Sequence, residues 1–213
     1  MTPSPLDSVP PSSSPPSSGL FRSPRERRYW LVAVGVVLVT WSTLYWARFL
    51  SDWFRDQGWI TPLMVALFVA AALAVLVVVL RRRPGWRELA VLAVFAVIYF
   101  LTIRPLMGRP EEALHFLQYG LVGGFFFAAL SERRRRRPAA SPPSWPTRLP
   151  AVTAFVLTLA AGWADEGIQY LLPNRYYDLR DVAFNAAAAA LAIAATAALT
   201  WARAQGRTKS KAN

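Results

Sequence analysis

Long apolar runs alternate with short polar and basic segments along most of the chain. Six runs reach or approach the roughly 20 mostly apolar residues that a helix needs to cross a bilayer core of about 30 Å. This pattern predicts an all-α fold, a polytopic membrane helix bundle with six transmembrane helices. Five spans are the alternative, because the third and fourth runs are the shortest and the last two carry acidic residues at their facing ends. The six runs are residues 29–49, 60–80, 87–104, 113–130, 150–172 and 182–202.

The composition agrees with a membrane protein. Of the 213 residues, 54% are hydrophobic and only 17% are charged, which is an unusual balance for a soluble protein. The net charge of +12 invites comparison with nucleic-acid-binding proteins, but the basic residues fall in short blocks between apolar runs. No nucleic-acid partner is therefore predicted. The sequence contains no cysteine, which excludes disulfides, thiolate catalysis and cysteine-ligated metal sites.

The segments that flank the apolar runs differ from them in composition. Residues 1–28 are rich in Pro and Ser and end in a basic stretch, which predicts a disordered cytoplasmic tail. Residues 203–213 predict a short basic cytoplasmic tail. The transmembrane domain is predicted over residues 29–202. Its first run is a full span long and lacks a small-residue cleavage site, so we interpret it as an uncleaved helix rather than a signal peptide.

Basic residues are divided unequally between the two ends of the predicted spans. One side holds 18 of the 24 Lys and Arg residues, including the run from Arg133 to Arg137, and the other side holds 6. Because cytoplasmic loops retain an excess of Lys and Arg, both termini are predicted in the cytoplasm, an N-in/C-in orientation. We interpret the arginine run as a topology determinant that also contacts anionic lipid headgroups.

Polar residues at helical spacing lie near the outer end of the fourth run. Glu111, His115 and Tyr119 are each four apart, so a helix places them along one stripe. His115 is the only histidine in the chain. Glu111 and the neighbouring Glu112, taken alone, are explained by the favourable position of an acid in the first turn of a helix. His115 and Tyr119 are the functional candidates of this stretch.

A second polar stretch lies inside the fifth run. Asp165 precedes the predicted end at Leu172 by seven residues, about 10 Å of helical rise, and therefore falls within the apolar layer. Ionisable residues at that depth usually face a bundle interior or a water-filled cavity. Asp165 and Glu166 are therefore functional candidates, and Gln169 shares a face with Asp165. The alternative is a structural hydrogen bond to a neighbouring helix.

A third polar stretch begins the sixth run. Asp178, Asp181 and Asn185 follow one another by three and four residues and share a helix face. Asp178 is explained equally well as a helix N-cap. Asn185 needs a hydrogen-bonding partner because it lies among Ala and Leu. Arg175 either pairs with these acids or binds a phosphate or carboxylate through its planar guanidinium group.

Small residues provide for close packing of the helices that carry these stretches. Gly120 and Gly124 form a G-x-x-x-G motif beside Tyr119, and an alanine run extends from Ala186 to Ala190. Such residues let helix backbones approach one another in a membrane. We therefore expect the three polar stretches to meet.

Two sequence blocks resemble the VanZ-like family of bacterial membrane proteins, whose first member is associated with resistance to glycopeptides, especially teicoplanin. The first block is E-E-A-L-H-F-L-Q-Y-G, from Glu111 to Gly120, similar to the family's D-K-x-x-H-F-x-x-Y. The second is D-E-G-I-Q-Y-L-L-P-N-R-Y-Y-D-L-R-D-V-A-F-N, from Asp165 to Asn185, similar to D-E-x-x-Q followed by P-x-R, two aspartates and N. The resemblance covers residues 111–190. The chain departs from the pattern at Glu111-Glu112, where an acid–base pair is usual, and at Ala188, where the family often has Gly.

The resemblance implies a multi-pass protein of the bacterial cytoplasmic membrane that acts at the outer leaflet on or with a cell-envelope component. A lipid-linked cell-wall intermediate or a lipoglycopeptide is the expected partner, besides the bilayer itself. The expected ligand-binding residues are Tyr119, Gln169, Arg175, Asp178, Asp181 and Asn185.

Two other functions remain open. In the first, the protein is a membrane-embedded hydrolase or transferase of a lipid-linked phosphoester or acyl substrate, with His115, Asp165 and Glu166 as catalytic candidates and a divalent cation as a cofactor. In the second, the protein is a proton-coupled transporter in which Asp165 and Glu166 relay protons. The lack of a detectable internal repeat disfavours the transporter.

Overall fold

The structure, a computed structural model, describes residues 20–104, 110–139, 142, 144–172 and 178–210. Within these ranges the chain is helical and contains no strand. Most of the predicted disordered tail, residues 1–19, and the loop that carries Arg175 lie outside the described residues. The helices are α1 (Pro24–Asp56), α2 (Ile60–Arg82), α3 (Trp86–Ile103), α4 (Pro110–Arg135), α5 (Trp145–Arg148), α6 (Pro150–Tyr170) and α7 (Leu179–Ser210).

Six of these helices are long and apolar enough to cross a bilayer, and only the single turn of α5 is not. The prediction of an all-α bundle with six candidate membrane-spanning helices is therefore confirmed in the part of the chain that the structure describes.

The first and last helices extend beyond the predicted spans. The helix α1 begins at Pro24 because Ser23 caps it: the Ser23 Oγ accepts a hydrogen bond from the Glu26 N–H at 3.1 Å. The Glu26 carboxylate in turn accepts from the Arg22 N–H at 2.7 Å. Residues 24–28, predicted as part of a disordered tail, therefore form the first turn of a helix, and α7 likewise continues as a helix to Ser210.

The bundle is organised around α4, which packs against α1, α6 and α7, while α3 packs on α7. Buried apolar side chains of α1, α4, α6 and α7 form one core cluster, which includes Val37, Phe126 and Ile193. A second cluster joins α3, α4 and α7 around Phe116. The helix α2 lies at the periphery, with most of its apolar side chains exposed from the bundle, as expected of a helix that faces lipid.

Small residues bring α4 and α7 close together, as predicted, but the tightest contact is at a glycine that the motif did not include. A Cβ atom on Gly123 would lie 3.0 Å from the Ala189 Cα and 3.3 Å from its carbonyl oxygen. A Cβ atom on Gly120 or Gly124 would lie 3.7–3.9 Å from Ala188, Ala192 or Thr196, so these two glycines also face α7. Ala188 is completely buried in this contact.

Candidate functional site

Three helices bring the predicted polar stretches together at one end of the bundle. The His115 Nδ1 on α4 lies 3.3 Å from the Asp165 Oδ2 on α6. Asp165 is fully buried, whereas 21% of the His115 side chain is exposed. The imidazole thus connects a carboxylate inside the bundle with the surroundings of the bundle.

The neighbouring turn of α4 places Tyr119 below the imidazole. The His115 and Tyr119 rings are stacked with their centroids 6.2 Å apart, as the spacing of four residues predicts. Tyr119 is buried, and its hydroxyl donates a hydrogen bond to the Ala161 carbonyl oxygen at 3.3 Å. That carbonyl belongs to α6, one turn before Asp165. The phenol therefore fastens α4 to α6 directly beside the His115–Asp165 contact.

Glu166 connects α6 to the beginning of α7. It is fully buried, and its Oε1 accepts a hydrogen bond from the Gln169 Nε2 at 3.3 Å. Its Oε2 accepts from the Asp178 backbone N–H, also at 3.3 Å. Both oxygens are thus engaged within the protein. This arrangement makes Glu166 a positioning residue for the α6–α7 connection rather than a group free to react.

Asp178 and Asp181 begin α7 in different environments. Asp178 is exposed, and its Oδ1 accepts a hydrogen bond from the Arg180 N–H at 2.8 Å, which is the geometry of a helix N-cap. Asp181 is half-buried and contributes negative charge to the surroundings of His115. The structure therefore explains Asp178 by its cap and places Asp181 closer to the centre of the site.

Asn185 lies one helical turn deeper and is 99% buried. A Cβ atom on Gly162 would lie 3.4 Å from the Asn185 Nδ2 and 3.7 Å from the Tyr119 Cε1. Gly162 therefore lets Asn185 of α7 and Tyr119 of α4 approach α6 closely. Gly162 is not among the predicted site residues, although a glycine one turn before a buried Asp-Glu pair is a signal for such an approach.

Several hydrogen-bonding atoms of the site have no hydrogen-bond partner among the described residues. They are the two carboxylate oxygens of Asp165, both amide atoms of Asn185 and the His115 Nδ1. The His115 Nδ1 and the Asp165 Oδ2 are nevertheless 3.3 Å apart, so the imidazole is a described charge partner of the buried carboxylate. Since a buried polar atom is costly without a partner, these atoms mark the centre of the candidate site.

The described charges of the site are mainly negative. The carboxyl groups of Asp165, Glu166 and Asp181 surround the single imidazole of His115. No three His, Asp or Glu side chains in the described ranges are arranged to hold a metal ion. The divalent cation of the enzyme hypothesis therefore gains no support from this geometry. Arg175, the predicted cationic residue, and the Glu111 side chain lie outside the described residues.

Comparisons of the chain with models of protein families, with curated proteins and with solved structures found no match.

Proposed function

We propose that this chain is a VanZ-like integral membrane protein of the bacterial cytoplasmic membrane that acts at the outer leaflet on or with a cell-envelope component. The N-in/C-in orientation of the positive-inside rule belongs to this proposal, because it places the candidate site on the outer side. A link to teicoplanin resistance follows from the same sequence resemblance.

The observation that carries the proposal is the burial of Asn185 between apolar helices, with both of its amide atoms lacking hydrogen-bond partners among the described residues. Asp165 is also fully buried, and its described charge partner is the imidazole of His115. Removing such groups from water costs free energy, about 1–3 kcal/mol for a neutral polar group and more for a charge. If these groups were purely structural, we would expect hydrogen bonds to a neighbouring helix to offset the cost of their burial. The arrangement therefore favours a binding role, in which the polar groups of a ligand supply the missing partners.

The proposed ligand contacts follow from the position of each side chain. Asp165 and Asn185 are the buried polar groups that we assign to the ligand. Tyr119 and Asn185 both lie against Gly162. Gln169 donates a hydrogen bond to Glu166, the neighbour of Asp165. Asp181 lies nearer the membrane surface. Arg175 is assigned to the same surface on sequence grounds, for an acidic group of the envelope component, which is a lipid-linked cell-wall intermediate or a lipoglycopeptide.

The orientation of the His115 imidazole relative to Asp165 favours a second candidate function. This function is hydrolysis or group transfer on a lipid-linked phosphoester or acyl substrate. Because the Nδ1 of His115 faces Asp165, the carboxylate is placed to orient the ring and to stabilise its protonated form. The Nε2 then points away from that carboxylate, where a general base would receive a proton from water. Such a base contributes a factor of about 10²–10⁴ to a rate.

The proposal is tested by the teicoplanin and vancomycin susceptibility of a sensitive bacterial host that expresses the wild type or Asp165→Asn at matched membrane levels. We expect the wild type to raise teicoplanin tolerance and Asp165→Asn to lose the effect. Asp56→Asn is the control, because it makes the same chemical change at an exposed carboxylate at the end of α1. Equal teicoplanin tolerance with wild type and Asp165→Asn would contradict a role of the candidate site in this function. No increase in tolerance with either protein would contradict the link to teicoplanin resistance.

The two candidate functions are separated with purified protein and a lipid-linked cell-wall intermediate. A binder retains the lipid without changing it, whereas an enzyme releases a phosphate or acyl product at a rate that His115→Gln lowers by about 10²–10⁴. Product release that is unaffected by His115→Gln would contradict the general-base role. Retention of the lipid by wild type but not by Asp165→Asn would support the binding role.

A further inference from the structure

A second polar cluster lies at the opposite end of the bundle, where the beginning of α1 meets the end of α4. Its centre consists of two carboxylates, Glu26 on α1 and Glu132 on α4, with exposures of 0% and 2%. The Ser23 Oγ donates a hydrogen bond to the Glu132 Oε1 at 3.3 Å, and the Arg133 Nη1 lies 3.4 Å from the Glu26 Oε1. These contacts cross between the two helices and fasten them together.

Glu132 also holds two guanidinium groups of its own helix. The Arg136 Nε donates to the Glu132 Oε1 at 3.1 Å, and the Arg135 guanidinium donates to the Oε2. More than half of each arginine side chain is exposed. A buried carboxylate thus fixes the direction of two cationic groups that remain accessible from outside the bundle.

These side chains and Arg25 line a shallow cavity of about 290 Å³ that is open to the surroundings of the bundle. Three guanidinium groups face one carboxylate, so the lining carries a net positive charge. The positive end of the α1 dipole, at Arg25, is offset by the negative end of the α4 dipole, so the net positive charge of the lining comes from its arginines. The cavity therefore favours an anion, and the planar forks of arginine match the oxygens of a phosphate group.

The cavity lies at the level where lipid headgroups lie. Arg25 is next to the first residue of the first candidate membrane span, and Glu132 and Arg135 belong to the last turn of the fourth. Phospholipid phosphates occupy this interfacial layer at the ends of transmembrane helices. A lipid phosphate can therefore reach the cavity without leaving the bilayer.

We propose that this cavity is a binding site for the phosphate headgroup of an anionic phospholipid. The site differs from the general attraction between a basic loop and an acidic membrane, because the arginines are held in fixed directions by Glu132. The proposal is independent of the candidate site around His115, which lies at the other end of the bundle.

The test uses the full-length protein in vesicles of phosphatidylcholine with a minority of phosphatidylglycerol, followed by native mass spectrometry of the lipid that the protein retains. The variants are Arg25→Gln and Arg25→Gln/Arg136→Gln. Arg25 is exposed, so its substitution leaves the carboxylate contacts between α1 and α4 intact. The control is Arg81→Gln/Arg82→Gln, which removes two exposed arginines at the end of α2, outside the cavity.

We expect the wild type to retain phosphatidylglycerol in preference to phosphatidylcholine. Arg25→Gln lowers the retention about tenfold, the change that corresponds to the loss of a charge-assisted hydrogen bond of about 1.4 kcal/mol, and the double variant lowers it further. The α2 control stays close to wild type. Equal losses in the control, or no loss in either cavity variant, would overturn the proposal. If an equal concentration of inorganic phosphate displaced the lipid, the ligand would be free phosphate and the proposal of a lipid ligand would be wrong.

Discussion

The imidazole of His115 and the carboxylate of Asp165 face each other across the contact between α4 and α6, with Nδ1 and Oδ2 3.3 Å apart. The carboxylate is buried and the imidazole is partly exposed, so the chemistry of the pair is reached through the histidine. The two residues come from separate polar stretches of the sequence. Their contact brings the two stretches together in one site. It also leads to a prediction about the energetic coupling of the two residues.

The His115–Asp165 contact predicts that substitutions of the two residues are energetically coupled. We expect His115→Gln and Asp165→Asn each to change the free energy of unfolding, and the double variant to differ from the sum of the two changes by about 0.5–3 kcal/mol. The measurement is a double-mutant cycle by reversible unfolding in mixed detergent micelles. As a control, Asp165→Asn is combined with Glu88→Gln, which lies on α3 in the first turn. That pair is expected to be additive within about 0.5 kcal/mol, and additivity of the His115–Asp165 pair as well would contradict the contact.

Much of the fold was predictable from hydropathy, because a helix that crosses lipid must satisfy its backbone internally and be about 20 apolar residues long. The helix ends were less predictable. Pro24 begins α1 because Ser23 and Glu26 cap it. The arginines of this segment give it the polar composition of a disordered tail, although it forms the start of a helix. The signal was present as the spacing S-x-x-E, a capping-box pattern.

The candidate site was predictable as far as helical spacing determines it. A period of 3.6 residues places His115 above Tyr119 and Asn185 one turn below Asp181, whatever the neighbouring helices do. The partner of Glu166 could not be predicted in this way. Its hydrogen bond from the Asp178 N–H depends on the path of the chain between α6 and α7, which no periodicity describes.

The contact between α4 and α7 predicts opposite outcomes for two adjacent glycines. A methyl group on Gly123 would meet the Ala189 backbone at 3.0–3.3 Å, and backbone atoms cannot move aside as a flexible side chain can. We expect Gly123→Ala to lower the unfolding free energy by about 1–3 kcal/mol. Gly124→Ala meets its neighbours at 3.7–3.8 Å and should be neutral or slightly stabilising. Equal effects of the two substitutions, measured by thermal unfolding, would show that the helices do not approach each other at Gly123.

The cluster at the other end of the bundle predicts a difference between two glutamates. Glu132 is buried and accepts hydrogen bonds from Ser23, Arg135 and Arg136, so Glu132→Gln should cost about 1–2 kcal/mol of unfolding free energy. We place the value low because both guanidinium groups are more than half exposed. Glu88→Gln weakens the contact with Arg203 at a carboxylate whose side chain is 18% exposed, compared with 3% for Glu132, and should cost less than about 1 kcal/mol. A larger loss for Glu88→Gln would contradict this ranking.

The proposed orientation predicts which loops a membrane-impermeant maleimide reaches. Because the chain contains no cysteine, single cysteines can be introduced without removing native ones. Gln57→Cys lies between α1 and α2, and Ser144→Cys lies directly before α5; both positions are exposed. In spheroplasts we expect Gln57→Cys to be labelled at once and Ser144→Cys only after permeabilisation. The reverse pattern would contradict the N-in/C-in orientation. Labelling of both from outside would mean that one of α2, α3 and α4 does not span the membrane, which is the five-span alternative.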